Sequence, residues 1–203
     1  MSNILWEWLS ANYIEVLGAI LGIAYIIFSI RQSIFTWPAG LVTSLLYIIV
    51  FFQSKFYADM GLQFYYVFIS IYGWYLWFRG NPDNKSQILP VKRITRNQGI
   101  YSSIVTLLIF VLILIILKNF TDSPVPIMDS ATTALSIVAT YMLARKILEH
   151  WIIWIVVDLV SVGLYIYKDL WPTVILFLIY TIMAFIGYRE WKTSLKLQSN
   201  GYN

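Results

Sequence analysis

IYSSIVTLLIFVLILIIL, residues Ile100 to Leu117, contains no charged side chain. As a helix rising 1.5 Å per residue it spans about 27 Å, close to the ~30 Å hydrocarbon core of a bilayer. The stretch predicts a membrane helix. Three apolar segments precede it, Tyr13 to Ile30, Trp37 to Gln53 and Ala58 to Phe78, and three follow, Pro126 to Ala144, Trp151 to Tyr167 and Leu170 to Tyr188. The chain is therefore expected to be an all-α integral membrane protein with seven transmembrane helices. A single span between two three-span units makes each triplet enter the membrane from the same side, so a 3+1+3 chain carries parallel repeats rather than inverted ones. One transmembrane domain over residues 1–203 is expected, with repeat one at 13–78, a linking helix at 100–117 and repeat two at 126–191. That arrangement suggests a small transporter.

Composition points the same way. Hydrophobic residues make up 60% of the 203 and charged residues 12%, against about a quarter charged in ordinary soluble domains, and the mean hydropathy is +0.73. The formal net charge of +4 is no nucleic-acid signal, because its excess lies in loops where cytoplasmic lysine and arginine are expected in any case. Cysteine is absent, which excludes disulfides, thiolate chemistry and cysteine metal sites. One histidine cannot build a histidine metal cluster, and no cofactor is expected. Met1 to Asn12 carries Glu7 but no lysine or arginine, so it lacks the basic start of a cleaved signal peptide and is expected to stay.

Orientation follows from the basic residues, which are held back on the cytoplasmic side during insertion. With the N-terminus outside and the C-terminus inside, the cytoplasmic set is Arg31, Arg79, Lys85, Lys92, Arg93, Arg96, Arg145, Lys146, Arg189, Lys192 and Lys196. The external set is Lys55, Lys118 and Lys168, so eleven of the 14 basic residues fall inside. Arg79 to Gly99, rich in turn formers, is the expected linker between repeat one and the lone span.

Sliding the chain on itself tests for duplication. At an offset of 114 residues, Arg31 falls on Arg145, Trp37 on Trp151, Leu45 on Leu159, Leu62 on Leu176, Tyr66 on Tyr180, Gly73 on Gly187 and Trp77 on Trp191, with Glu15 over Asp129. Matched tryptophans are hard to obtain from composition alone, although tryptophan also collects at membrane interfaces. A substrate site should then be built from residues that the two halves do not share. Asp158 is one. It is the acid in the middle of WIIWIVVDLVSVGLYIY, and its repeat counterpart is Ser44. A carboxylate at bilayer depth costs several kcal/mol unless it faces a polar cavity or a partner, so it marks a functional position by default.

Its helix companions sharpen the chemistry. Trp151, Trp154, Asp158, Ser161 and Tyr165 lie at i, i+3, i+7, i+10 and i+14, one face of a helix. Two indoles and an acid on one stripe suit a flat cationic ring, through stacking, cation–π attraction and countercharge. The alternative is that Trp151 anchors the helix at the interface and Asp158 is a hydrogen-bonded packing element. The third span offers a second stripe of Gln63, Tyr66, Ser70, Trp74 and Trp77, whose counterparts are Phe177, Tyr180, Ala184, Tyr188 and Trp191. A buried glutamine amide both donates and accepts, which suits a carboxamide, an amino group or a ribose hydroxyl, or equally a bridge between helices. Trp77 reads as an interfacial tryptophan.

TWPAGLVTSLLYIIVFFQSKFYADMGLQFYYVFISIYGWYLW (36–77) and EHWIIWIVVDLVSVGLYIYKDLWPTVILFLIYTIMAFIGYREW (149–191) resemble the PnuC family of bacterial vitamin transporters. W-P-x-G, Y-A-D-x-x-L-Q and W-x-x-W, in that order, carry the resemblance from the first span to Trp191. It implies a fold related to the SWEET sugar transporters and import of nicotinamide riboside across the inner membrane by facilitated diffusion, with trapping by a cytoplasmic kinase that phosphorylates the substrate. Relatives take thiamine or riboflavin. The family's substrate contacts map to Trp151, Trp154, Gln63 and Tyr66, and a homo-oligomer, a trimer, is suggested by the same resemblance. Where the family often has asparagine, this chain has His150 and Asp158. An acid beside two indoles fits the pyridinium of nicotinamide riboside or the thiazolium of thiamine, and gives no advantage to neutral riboflavin. The candidate site is thus Trp151, Trp154, Asp158, Gln63, Tyr66, Ser70 and His150, for a small cationic vitamin or nucleoside, with Asp158 as a fixed countercharge rather than a proton-coupling group.

Other classes fit less well. No G-x-x-x-x-G-K-[ST] occurs, so nucleotide hydrolysis by the chain itself is not expected. An enzyme would want a nucleophile with a base or paired carboxylates, and Asp158 supplies neither. A channel would repeat its polar lining in each unit, whereas Asp158 stands opposite a serine. The alternatives are a proton-coupled symporter and a scaffold, although a scaffold has no need of an intramembrane acid.

Overall fold

The computed structural model describes residues 13–53, 57–80, 88–121, 123–167 and 171–201. Expectations for Met1 to Asn12, for Lys55, Lys85 and Lys168, and for the Leu170 start of the last span lie outside the described residues. The described residues form seven α-helices, in order α1 Tyr13–Ile30, α2 Thr36–Gln53, α3 Tyr57–Arg79, α4 Arg96–Phe120, α5 Pro126–Ala144, α6 His150–Tyr167 and α7 Trp171–Ser199. Five of the seven, α2 and α4 to α7, contain stretches long and apolar enough to cross a bilayer. Large apolar side chains such as Phe68 and Phe78 on α3, Leu108 on α4, Leu159 on α6 and Ile182 on α7 stand exposed, the pattern of a protein whose solvent is lipid. Two compact units divide the chain, Met1–Ile88 with α1 to α3 and Leu89–Asn203 with α4 to α7.

In the first unit α2 packs against both α1 and α3. Close approach on α2 is possible because position 40 is glycine: a Cβ there would lie 2.9 Å from the Tyr25 ring and 3.2 Å from Ser70 Oγ. In the second unit α5 is the most enclosed helix, α6 packs against α5 and α7, and α4 packs against α5. A core of Val138, Met142 and Ile147 gathers Ile94, Ile109 and Ile153 around it. α4 starts at Arg96, four residues before its apolar run, because Thr95 and Gln98 form a capping box, with Gln98 N–H donating to Thr95 Oγ1 at 3.3 Å and Thr95 N–H to Gln98 Oε1 at 3.1 Å. The box satisfies two otherwise orphaned helix-start donors. No residue of α4 is buried.

The α1–α2 and α5–α6 turns share one backbone solution. Gln32 (φ 53°) and Lys146 (φ 50°) are the non-glycine residues with positive φ among the described residues, and they stand 114 positions apart. Each closes a Schellman motif at the end of its helix. Ser33 N–H reaches Phe28 O (2.9 Å) and Gln32 N–H reaches Ser29 O (3.1 Å); Ile147 N–H reaches Met142 O (3.0 Å) and Lys146 N–H reaches Leu143 O (2.9 Å). The left-handed conformation costs roughly 1–2 kcal/mol for a residue with a Cβ, and the capped carbonyls offset it. The next helix is then entered through a second matched contact, Thr36 Oγ1 donating to Ser33 O at 2.8 Å and His150 Nδ1 meeting Ile147 O at 2.7 Å.

Among the described residues, only the second turn carries a clip. Lys92 forms a parallel bridge with Ile147, Lys92 N–H donating to Lys146 O (3.0 Å) and Leu148 N–H to Lys92 O (2.9 Å). Ile94 N–H donates to Glu149 Oε2 at 2.9 Å. The segment leading into α4 is thereby fastened to the α5–α6 turn, with Val91 of the segment and Lys146 of the turn both buried. Burial pushes the Lys146 ammonium down to about 8, and burial together with the nearby Arg145 guanidinium lowers Lys92 as well.

Candidate functional site

Two tryptophan clasps set the frame. Trp37, fully buried, meets Trp77 edge-on at 5.3 Å between ring centroids and lies flat over Gly73, where any Cβ would collide with the indole. Trp151, 3% exposed, repeats this with Trp191 at 5.8 Å and with Gly187. Glycine is required at both places because an indole already fills the Cβ position. Edge-to-face pairs of this kind contribute about 0.5–1.5 kcal/mol beyond their buried area. Trp77 is therefore not the interfacial residue the sequence suggested. It is core, and its apolar helix neighbours hid that.

His150 belongs to the second clasp. Its ring lies 4.6 Å from that of Trp151 and 4.7 Å from that of Trp191, fully enclosed. Its Nδ1 takes the place that the Thr36 hydroxyl holds in the first unit. Nε2 of His150 and the indole nitrogens of Trp37 and Trp151 are buried with no hydrogen-bond partner among the described residues.

From each clasp a stripe runs along the inner face of the helix that follows. On α6, Trp151, Asp158 and Ser161 are buried and Trp154 and Tyr165 half-buried, while Ile152, Val156 and Leu159 are exposed on the opposite side. The expected face of α6 is thus the inward one, and Asp158 is 4% exposed. No hydrogen bond reaches its carboxylate among the described residues. The matching face of α2 is Trp37, Gly40, Ser44, Tyr47 and Phe51, so the first unit has glycine for Trp154 and serine for Asp158. Gly40 is the residue that inspection of the sequence missed. Its lack of a side chain admits the Tyr25 ring of α1 beside Ser70 of α3.

On α3, Gln63 and Tyr66 are half-buried and Ser70 is buried, whereas Trp74 is 40% exposed and turns away from that face. The corresponding position to Gln63 in α7 is Phe177, whose ring packs against Tyr165 at 5.1 Å and Tyr180 at 5.7 Å. Each unit thus gathers part of the expected set: Gln63, Tyr66 and Ser70 share α3, and Trp154 and Asp158 share α6, with His150 and Trp151 taken up by the clasp at its start. Among the described residues no cluster of histidine, aspartate and glutamate could hold a metal ion.

Apolar helices long enough to cross a bilayer, with buried polar residues on their inward faces, define a polytopic membrane protein. Comparison with known proteins supplies the family. The profile described as "Nicotinamide mononucleotide transporter" matches residues 12–193, and the chain belongs to this family, that of the PnuC transporters. It is 27% identical to the nicotinamide riboside transporter PnuC of Escherichia coli (strain K12), over 91% of this chain and 87% of that one. It is also 27% identical to the riboflavin/roseoflavin transporter RibM of Streptomyces davaonensis, over 87% and 83%. A solved structure described as the vitamin B3 transporter PnuC superposes with a TM-score of 0.74 at 21% identity, covering 96% of this chain and 86% of the other. That likeness establishes the fold.

Proposed function

We propose that this chain imports nicotinamide riboside across the bacterial inner membrane by facilitated diffusion, the substrate being trapped by a cytoplasmic kinase. Seven helices cross the bilayer in a 3+1+3 arrangement of parallel repeats, with the N-terminus outside and the C-terminus inside. Support for the repeat comes from the paired Schellman turns and the paired clasps, each 114 residues apart. Support for the substrate class comes from the family and from the relative named as a nicotinamide riboside transporter.

One observation carries the cationic substrate: Asp158 sits on the inward face of α6, one turn from Trp154, where the first unit has Ser44 and Gly40. An unpaired carboxylate there attracts a pyridinium ring that Trp154 can stack on. In this reading Trp154, Asp158, Gln63, Tyr66 and Ser70 face substrate, and Trp151 and His150 hold α6 at the angle that presents them. The equal identity to a riboflavin/roseoflavin transporter favours a second reading, a neutral flavin. Uptake of labelled nicotinamide riboside into proteoliposomes, competed with unlabelled nicotinamide riboside, thiamine and riboflavin, separates them. The proposal expects strong competition by nicotinamide riboside, weaker by thiamine and little by riboflavin. Absence of nicotinamide riboside uptake, with labelled riboflavin taken up in its place, would transfer the function to the flavin.

A further inference from the structure

The two units draw an aromatic ring from different helices. At the 114-residue offset Tyr25 stands over Ala139, Gly40 over Trp154 and Ser70 over Ala184. In the first unit a Cβ at position 40 would lie 2.9 Å from Cε2 of Tyr25 and 3.2 Å from Oγ of Ser70. The phenol of α1 and the hydroxyl of α3 therefore meet in the space that Gly40 leaves on α2. In the second unit Ala139 and Ala184 are buried and small, and the ring belongs to Trp154 of α6. Each set of three holds one large ring, because two would overpack it. The exchange is reciprocal, and it leaves the first unit with a polar ring beside a hydroxyl.

Tyr25 is half-buried, and its open side does not face lipid. Leu17, Ile20, Ile23 and Ile27 carry the exposed face of α1, whereas Gly18, Tyr25 and Ser29 recur at i, i+7 and i+11 on the reverse face. Gly40 lies one turn from Ser44 on the inner face of α2, and Ser70 lies one turn from Tyr66 and two from Gln63 on α3. The phenol stands where these two stripes meet, among hydroxyls and an amide, and none of these side chains is charged. We propose that Tyr25 is a specificity-determining residue which, on the nicotinamide riboside reading above, hydrogen-bonds the ribose together with Ser70. A sugar diol both donates and accepts, and a phenol beside a serine hydroxyl matches it on both counts. The pyridinium gains nothing from these groups and is met by Trp154 and Asp158.

Uptake of labelled nicotinamide riboside into proteoliposomes, competed by the analogue in which a methyl group replaces the sugar on the pyridinium, tests this. Wild-type protein should prefer the riboside by roughly tenfold or more, since a site built to bond a hydroxyl rejects an analogue without it. Tyr25→Phe keeps the ring beside Gly40 and should raise the half-saturation concentration for the riboside about fivefold, the loss of one hydrogen bond, while inhibition by the methyl analogue stays unchanged. Equal weakening of both compounds, or of neither, would overturn the assignment. A wild type that takes up no riboside would instead overturn the transport reading, and this inference with it. Thermal unfolding reads the exchange separately. Gly40→Trp alone should lower the melting temperature, and Gly40→Trp combined with Tyr25→Ala and Ser70→Ala, the set found in the second unit, should restore it. A triple variant no more stable than Gly40→Trp would mean that the two sets are not interchangeable, and the role drawn from their exchange would fall.

Discussion

Trp151 and Trp154 are three residues apart on one stripe, yet their surroundings assign them different work. Trp151 is enclosed by Gly187, Trp191 and His150, whereas Trp154 is half-buried one turn from Asp158. Trp154→Ala should weaken nicotinamide riboside binding by on the order of 1 kcal/mol or more, and Trp154→Phe by less, because a smaller aromatic face remains. Titration calorimetry on the purified protein reads this directly, with the melting temperature little changed. Trp151→Ala should instead lower stability by about 3–5 kcal/mol, the range for deleting a buried aromatic side chain. If the melting temperature survives Trp151→Ala while affinity falls, Trp151 touches substrate and the clasp is incidental. The sequence could place both tryptophans on one face, because period alone does that. It could not separate them, since an indole suits core, interface and ligand equally.

Helix positions were legible almost to the residue, and the reasons for the exceptions are physical. Hydropathy located α1, α2, α3, α5 and α6 within one residue of their ends because the apolar run and the helix coincide there. α7 runs to Ser199, past the Tyr188 at which its apolar run ends, since an amphipathic segment leaving the membrane keeps its backbone hydrogen bonds. The two Schellman turns gave no glycine signal, being closed by Gln32 and Lys146, and the clip at Lys92 is a single bridge too short for any strand pattern. What the offset alignment did expose was the pair of glycines under the tryptophans, although not their purpose. Gly73→Ala and Gly187→Ala should each destabilise the protein by about 1–3 kcal/mol, the range for overpacking a filled core. Thermal unfolding checks it, and neutral changes at both positions would mean that the indoles have room to move.

At the scale of the whole molecule, orientation rests on the eleven-to-three division of basic residues. The chain lacks cysteine, so single cysteines can be placed without background. One near Lys85 should react with an impermeant reagent only after the inner membrane is opened, and one near Lys118 should react from outside in intact cells. The reverse pattern would defeat the orientation, and labelling of both cysteines from the same side would defeat the parallel repeat.

Facilitated diffusion of a cationic vitamin past Asp158 is the claim on which these scales meet, and radiolabelled nicotinamide riboside in proteoliposomes tests it most directly. Wild-type protein should equilibrate the compound to equal concentrations on both sides, with or without an imposed proton gradient. Asp158→Asn, which keeps size and hydrogen bonding but loses the countercharge, should raise the half-saturation concentration severalfold and leave downhill exchange intact. Accumulation of unmodified substrate on the proton gradient by the wild type, lost in Asp158→Asn, would contradict the account and make this carboxylate a coupling site.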